Sequence, residues 1–241
     1  IGFIGVGIMG KSMVRNLMKS GFELHIYART KEKAEDVIAE GAVFHESIKD
    51  CVSGCEAVIT IVGFPQDVEE VYFDTGNILD SADEGAYLID MTTTSPMLAK
   101  KIAEAGSEKG FHVLDAPVTG GDGGAKAGTL SILAGGAKED YEACMPLFEA
   151  MGTNINYQGE AGCGQHAKLA NQIMIAGTPS GVFEALTYAK ERLKSITDDF
   201  DQLSSEIDQL QSQIDELSVQ VLDAQQAMLD GRTSLSNTVI Q

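Results

Sequence analysis

Cations are scarce in this sequence: 17 Lys and Arg stand against 36 Asp and Glu, a formal charge of -19. Binding to nucleic acid without regard to sequence needs a basic footprint that displaces counterions from phosphates, so that class of partner is excluded. Cysteine is sparse as well. Of four cysteines only Cys51 and Cys55 lie close together, which argues against a disulfide framework and for reduced thiols in a cytoplasmic protein. The histidines, His25, His45, His112 and His166, are scattered, and no metal site is expected. No apolar run approaches the roughly 20 residues that cross a bilayer. Glycines interrupt the apolar N-terminus and no basic residue precedes it, so neither a membrane span nor a secretion signal is expected. The chain opens on Ile1 rather than Met, which leaves room for native residues before it.

What is present is enough apolar sequence, 44% of 241 residues, to build a sizeable core. Short β-rich runs alternate with amphipathic stretches. IGFIG precedes a helix over 8–19, LHIYA one over 31–40, AVITIV one over 66–73, and AYLID one over 96–109. FHVLDAPV follows, then LSILAG with a helix over 138–151, and last NINYQ. This rhythm predicts an α/β fold, a Rossmann-type doubly wound and mostly parallel sheet over residues 1–162. Runs without strict alternation suit strands buried on both faces.

From about Gly164 no strand signal remains. Residues 163–192 read as a long helix of interdomain type, kinked rather than stopped at Gly177-Thr178-Pro179. Over 193–230 the helix carries heptads. Leu193, Phe200, Ile207, Ile214, Val221 and Met228 occupy position a; Ile196, Leu203, Leu210, Leu217 and Ala224 occupy d. β-Branched residues at a with leucine at d favour a parallel two-stranded coiled coil, so self-association into a dimer is expected. From Leu193 onward nine acids meet only Lys194 and Arg232, and most acids fall on outward positions. Gly231 is read as the end of the helix, and 231–241 as a frayed tail.

Three segments carry chemistry. Gly5-Val6-Gly7-Ile8-Met9-Gly10 is G-x-G-x-x-G placed between a strand and a helix. Gly5 allows the tight turn, Gly7 lets backbone approach a pyrophosphate, and Gly10 permits close helix packing; the helix N-terminus supplies amide donors. The second strand ends Tyr27-Ala28-Arg29-Thr30, without the acid that bonds the adenosine ribose of NAD. Arg29 and Thr30 suit the extra phosphate of NADP, which is therefore the preferred cofactor, with NAD the alternative. In DAPVTGGDGGAKAGTL, read alone, a flexible connection is one reading. The other is that Thr119 and the amides of Gly120 and Gly121 form a nest of donors for a small carboxylate. In GCGQHAKLANQ, Lys168 and Asn171 share a helix face. Lys168 is placed to exchange the proton of an alcohol interconverting with a carbonyl, with Asn171 orienting the substrate. His166 is taken as structural.

Together these segments resemble the β-hydroxyacid dehydrogenase family: GFIGVGIMG is similar to its cofactor signature, DAPVTGGDGGAKAGTL to its substrate signature and GCGQHAKLANQ to its catalytic signature. The match covers roughly residues 1–190. It implies hydride transfer between nicotinamide and a small hydroxy acid or its semialdehyde. By position, Lys168 is the general acid/base, Asn171 orients substrate, and Thr119, Gly120 and Gly121 hold its carboxylate. Thr94 matches a position near the nicotinamide ribose, and Val62, Gly63, Phe64 and Pro65 match the loop over the cofactor, where the family more often has Leu-Pro. After about Lys190 the sequence no longer resembles the family's helical C-terminal domain, which closes the cleft; turnover impaired by its lack is the expectation. The alternative is an assembly protein or engineered fusion whose Rossmann head binds cofactor without catalysis.

Overall fold

The computed structural model describes residues 1–239. The chain divides into two units, Ile1–Ile175 and Ala176–Gln241. In the first, β1 (Gly2–Ile4) leads into α1 (Ile8–Lys19), and β2 (His25–Tyr27) into a 3-10 turn at Lys31–Ala34 and α2 (Glu35–Ala39). Then come β3 (Val43–Phe44), α3 (Ile48–Val52), β4 (Ala57–Thr60), α4 (Pro65–Phe73), α5 (Ile78–Ser81), β5 (Tyr87–Asp90) and α6 (Pro96–Glu108). They are followed by β6 (His112–Asp115), β7 (Val118–Thr119), α7 (Gly121–Ala127), β8 (Leu130–Gly136), α8 (Lys138–Ala143), α9 (Met145–Met151) and β9 (Gly152–Gly159). The last element, α10, runs Cys163–Val239.

Strands β3-β2-β1-β4-β5-β6 are parallel and in that order, the doubly wound arrangement expected. The strand order reverses between β1 and β4, so their carboxyl ends flank a crevice where such sheets take ligands. Beyond β6 the sheet is mixed: β8 runs antiparallel to β6 and β7, and β9 parallel to β8. FHVLDAPV therefore divides at Ala116-Pro117 into two strands that both pair with β8, β6 also pairing with β5.

Local chemistry explains some of the element ends. Ser95 Oγ accepts from the Met97 amide at 3.2 Å and Pro96 occupies the first turn of α6, where its missing N–H costs no bond. The stretch 138–151 is two helices because Pro146 cannot supply an amide to a continuing ladder. Short β3, α3 and α5 have no distinctive pattern and were not expected. The core lies on both sheet faces. Phe3, Met13, Leu17, Ile59, Ile89 and Phe148 pack one face, and Ile4, Val58, Tyr72, Ile78 and Leu88 the other.

In the second unit α10 continues through Pro179 without a stop, and past Gly231 to Val239, where a tail was expected. The last two residues of that tail, 240 and 241, lie outside the described residues. No helix among the described residues is long and apolar enough to cross a membrane.

Candidate functional site

The glycine turn borders a cleft of about 420 Å³ at the carboxyl ends of β1, β2 and β4. Each glycine has its own reason to be there. Gly5 has φ +105°, and a Cβ there would overlap the Ile61 carbonyl; at Gly10 it would overlap the carbonyl of Gly5. At Gly7 a Cβ would meet nothing within 4 Å, so the backbone faces open space in the cleft. Gly7 is also the N-cap of α1 and brings no side-chain acceptor, leaving the helix's first amides and its positive end for an anionic ligand. A dinucleotide's pyrophosphate fits this arrangement. Ile8 and Met9 line the same cleft, as do Val62 and Gly63; Phe64 and Pro65 are exposed and open α4 instead, with Asp67 Oδ2 accepting from the Phe64 amide at 2.9 Å.

At the far end the cleft is lined by Arg29, Thr30 and Lys33. Arg29 is not free: its guanidinium meets Asp67 at 2.6 Å and Glu70 at 3.0 Å, both on α4. The hydrogen bond to Asp67 raises the Arg29 pKa further. Among the described residues Lys33 makes no ion pair.

The other two motifs meet at the start of α10. Asp115, at the end of β6, caps that helix: Oδ1 accepts from the Gly162 amide at 2.7 Å and Oδ2 from the Gln165 amide at 2.8 Å. Burial raises its pKa, against the opposing pull of those amides. Gly135 and Gly164 allow the close approach, since a Cβ on either would strike Asp115. Gln165, fully buried, then reaches the loop after β5: Nε2 donates to the Thr92 carbonyl at 2.7 Å and Oε1 accepts from the Thr94 amide at 2.9 Å. Thr92 Oγ1 in turn accepts from the Val62 amide at 3.0 Å, so a chain of hydrogen bonds joins the cleft-lining loop to α10.

One turn beyond Gln165, Lys168 is buried, and its Nζ donates to the Val118 carbonyl at 2.7 Å. No carboxylate pairs with it among the described residues, and desolvation lowers its pKa. Its contact at Val118 sets it beside Thr119 and the two glycines. Gly120 (φ +129°) and Gly121 (φ +62°) hold conformations that L side chains rarely adopt. They start α7, a helix rather than a flexible connection; Asn16 Nδ2 of α1 donates to its Ala125 carbonyl at 2.7 Å. Asn171 Oδ1 and Thr94 Oγ1 are both buried without a hydrogen-bond partner, as are Asp90 Oδ2 and Asp122 Oδ1. His166 is exposed.

Gln165, Asp115 and Asp90 were not singled out in the sequence. Asp90 ends β5, fully desolvated, with a pKa pushed up to about 6. Its Oδ1 accepts from Thr60 Oγ1 at 2.8 Å and the Thr92 amide at 3.1 Å, while Oδ2 has no partner. Away from the site, His25 Nδ1 lies 2.8 Å from His45 Nε2, a pairing of residues 20 apart that spacing did not show. Among the described residues no three metal-ligating side chains cluster.

Residues 1–159 match the family model described as the NAD binding domain of 6-phosphogluconate dehydrogenase. The uncharacterized oxidoreductase YkwC of Bacillus subtilis is 55% identical over 204 residues, which is 82% of this chain and 71% of that protein. The 3-hydroxyisobutyrate dehydrogenase of Pseudomonas aeruginosa is 38% identical over 77% of this chain and 62% of its own length. Among solved structures, Mycobacterium tuberculosis 3-hydroxyisobutyrate dehydrogenase with L-serine aligns with a TM-score of 0.74 at 31% identity, covering 78% of this chain and 64% of that one. The chain thus spans less than two thirds of these two dehydrogenases. The glycine turn, the Lys168 helix and these likenesses agree: the chain belongs to the β-hydroxyacid dehydrogenase family of nicotinamide-dependent oxidoreductases.

Proposed function

We propose that this protein interconverts a small hydroxy acid and its carbonyl form, an aldehyde- or ketone-bearing carboxylate, with NADPH as hydride donor. The observation that carries the reading is Lys168: a buried ammonium with no carboxylate partner among the described residues, on a helix that Gln165 ties to the cofactor-side loop. A bound nicotinamide supplies the hydride. Lys168 gives a proton to the carbonyl oxygen in reduction and removes it from the hydroxyl in oxidation, and its lowered pKa brings it nearer working pH. Thr119 and the amides of Gly120 and Gly121 receive the substrate carboxylate. Asn171 Oδ1, buried and unpartnered, orients the reacting hydroxyl, and Thr94 Oγ1 takes a ribose hydroxyl.

The preference for NADP rests on Arg29, Thr30 and Lys33 at the end of the cleft and on the absence of an acid at the end of β2. Arg29 exchanges its exposed pairs with Asp67 and Glu70 for the 2′-phosphate, a stronger bidentate partner.

A second reading is that the head binds cofactor but turns over weakly or not at all. Beyond Asn171 the apolar side chains of α10, among them Ile173, Val182, Phe183 and Leu186, are exposed. Closure excludes water and aligns reacting groups, so a site without it loses several powers of ten in rate. The thiols, all free and mostly buried, suit a reducing cytoplasm.

NADPH oxidation measured with glyoxylate, succinic semialdehyde, tartronate semialdehyde and methylmalonate semialdehyde tests both readings. Turnover with any of them supports the enzyme. NADPH binding without turnover supports the cofactor-binding head, and absence of NADPH binding removes both.

A further inference from the structure

We infer that residues 193–228 of α10 form a parallel, in-register, two-stranded coiled coil with a second copy of this chain. The inference is independent of any activity of the first unit.

The observation is a continuous apolar stripe with nothing laid over it among the described residues. Leu193, Phe200, Ile207, Ile214 and Val221 at position a, and Ile196, Leu203, Leu210 and Leu217 at d, are each at least 55% exposed. The helix carrying them is unbroken. Five heptads span about 54 Å at 1.5 Å per residue. An apolar stripe of this length on a charged helix requires a partner.

The sequence of the stripe selects the partner. β-Branched Ile207, Ile214 and Val221 at a, set between Leu203, Leu210 and Leu217 at d, are the combination that packs best when two helices run parallel and each residue meets its own copy. Charge selects against a foreign strand. The flanking e positions, Thr197, Ser204, Gln211, Ser218 and Gln225, are neutral, and g holds only Asp199 and Glu206 as acids. In a parallel pair each g residue faces the following e of the other copy, so Asp199 meets Ser204 and Glu206 meets Gln211, with no like charges opposed. A basic partner would find only two acids along the seam. Most of the remaining negative charge, including Asp201, Asp208 and Asp215, points outward, where it opposes lateral aggregation. Local bonds from Gln202 to Glu206 and from Gln211 to Asp215 link the seam's flanks to the outward positions and steady the helix.

Sedimentation equilibrium of the full chain tests the inference. Twice the chain mass is expected, falling to the chain mass in Ile207→Asp/Leu210→Asp and unchanged in the outward control Ser205→Asp/Ser212→Asp. A monomeric parent, a trimer or tetramer, or a dimer that survives the double aspartate change overturns it. Orientation is read separately: Leu203→Cys links two chains covalently under mild oxidation and Ser205→Cys does not. A dimer in which Cys at 203 fails to link is not parallel, and the inference is then wrong. NADPH binding in the aspartate variant, expected within twofold of the parent, verifies that the first unit remains folded.

Discussion

The side chain of Gln165 holds the backbone of Thr94: Oε1 accepts from the Thr94 amide at 2.9 Å, while the same side chain's Nε2 donates to the Thr92 carbonyl. A single amide thus fixes the loop after β5 against the helix that carries Lys168.

Gln165→Leu keeps most of the volume and leaves an amide and a carbonyl buried without partners, at about 1–3 kcal/mol each. The expected result is a lower Tm and a kcat reduced by about tenfold or more, because Lys168 and the nicotinamide side of the site lose registration. The pH at which the rate profile turns over should stay put, since Lys168 itself is untouched. Unchanged kcat and Tm would show that the bond positions nothing.

If Lys168 is the proposed general acid/base, it sets the pH dependence. Its pKa is depressed, so reduction, which needs the ammonium, is fastest at low pH and declines as pH rises through that lowered value. Oxidation, which needs the neutral amine, does the reverse. Rate profiles recorded in both directions should cross with opposite slopes. Parallel profiles would assign the titration to another group.

Asp90 predicts a pH-dependent stability. Its folded pKa of about 6 lies above the ordinary carboxylate value, so the folded protein holds a proton that the unfolded chain has released. Stability therefore falls as pH rises from about 4 to about 6 and is level above that. Asp90→Asn retains an acceptor for Thr60 and the Thr92 amide and removes the penalty. Urea unfolding should show a gain of about 3 kcal/mol at pH 8 and almost none at pH 4. An equal difference at both pH values would contradict the assignment.

How much of this was legible in sequence depends on the range of the interaction involved. Both ends of α1, Ile8 and Lys19, are legible because G-x-G-x-x-G and the apolar spacing after it are local signals. The doubly wound, mostly parallel sheet followed from the alternation of elements, but β3 and the strand order did not. In contrast, α7 is built on GDGGAKA, whose glycines disfavour helix; it forms because Asn16 and the rest of α1 pack on it. Gln165 gave no signal, since its function exists only once a loop 71 residues earlier meets it. Arg29 was legible as a cleft residue but not as one already paired, because Asp67 and Glu70 arrive from another helix.

That pairing yields a further test. Glu70→Gln removes one negative charge facing Arg29 and no part of the glycine turn. Affinity for NADPH relative to NADH should rise by about two- to fivefold, the scale of an exposed ion pair. Arg29→Ala should reverse the preference or abolish it. If both variants leave the ratio unchanged, Arg29 does not read the 2′-phosphate.

The most direct measurement is a single-turnover comparison of the parent with Lys168→Met, using saturating NADPH and the best carbonyl substrate, with the NADPH Kd measured alongside. The account predicts equal Kd values and a hydride-transfer rate lower by roughly 10²–10⁴ in the variant, the range for loss of a general acid. Equal rates in the two proteins, with cofactor bound to both, would contradict it.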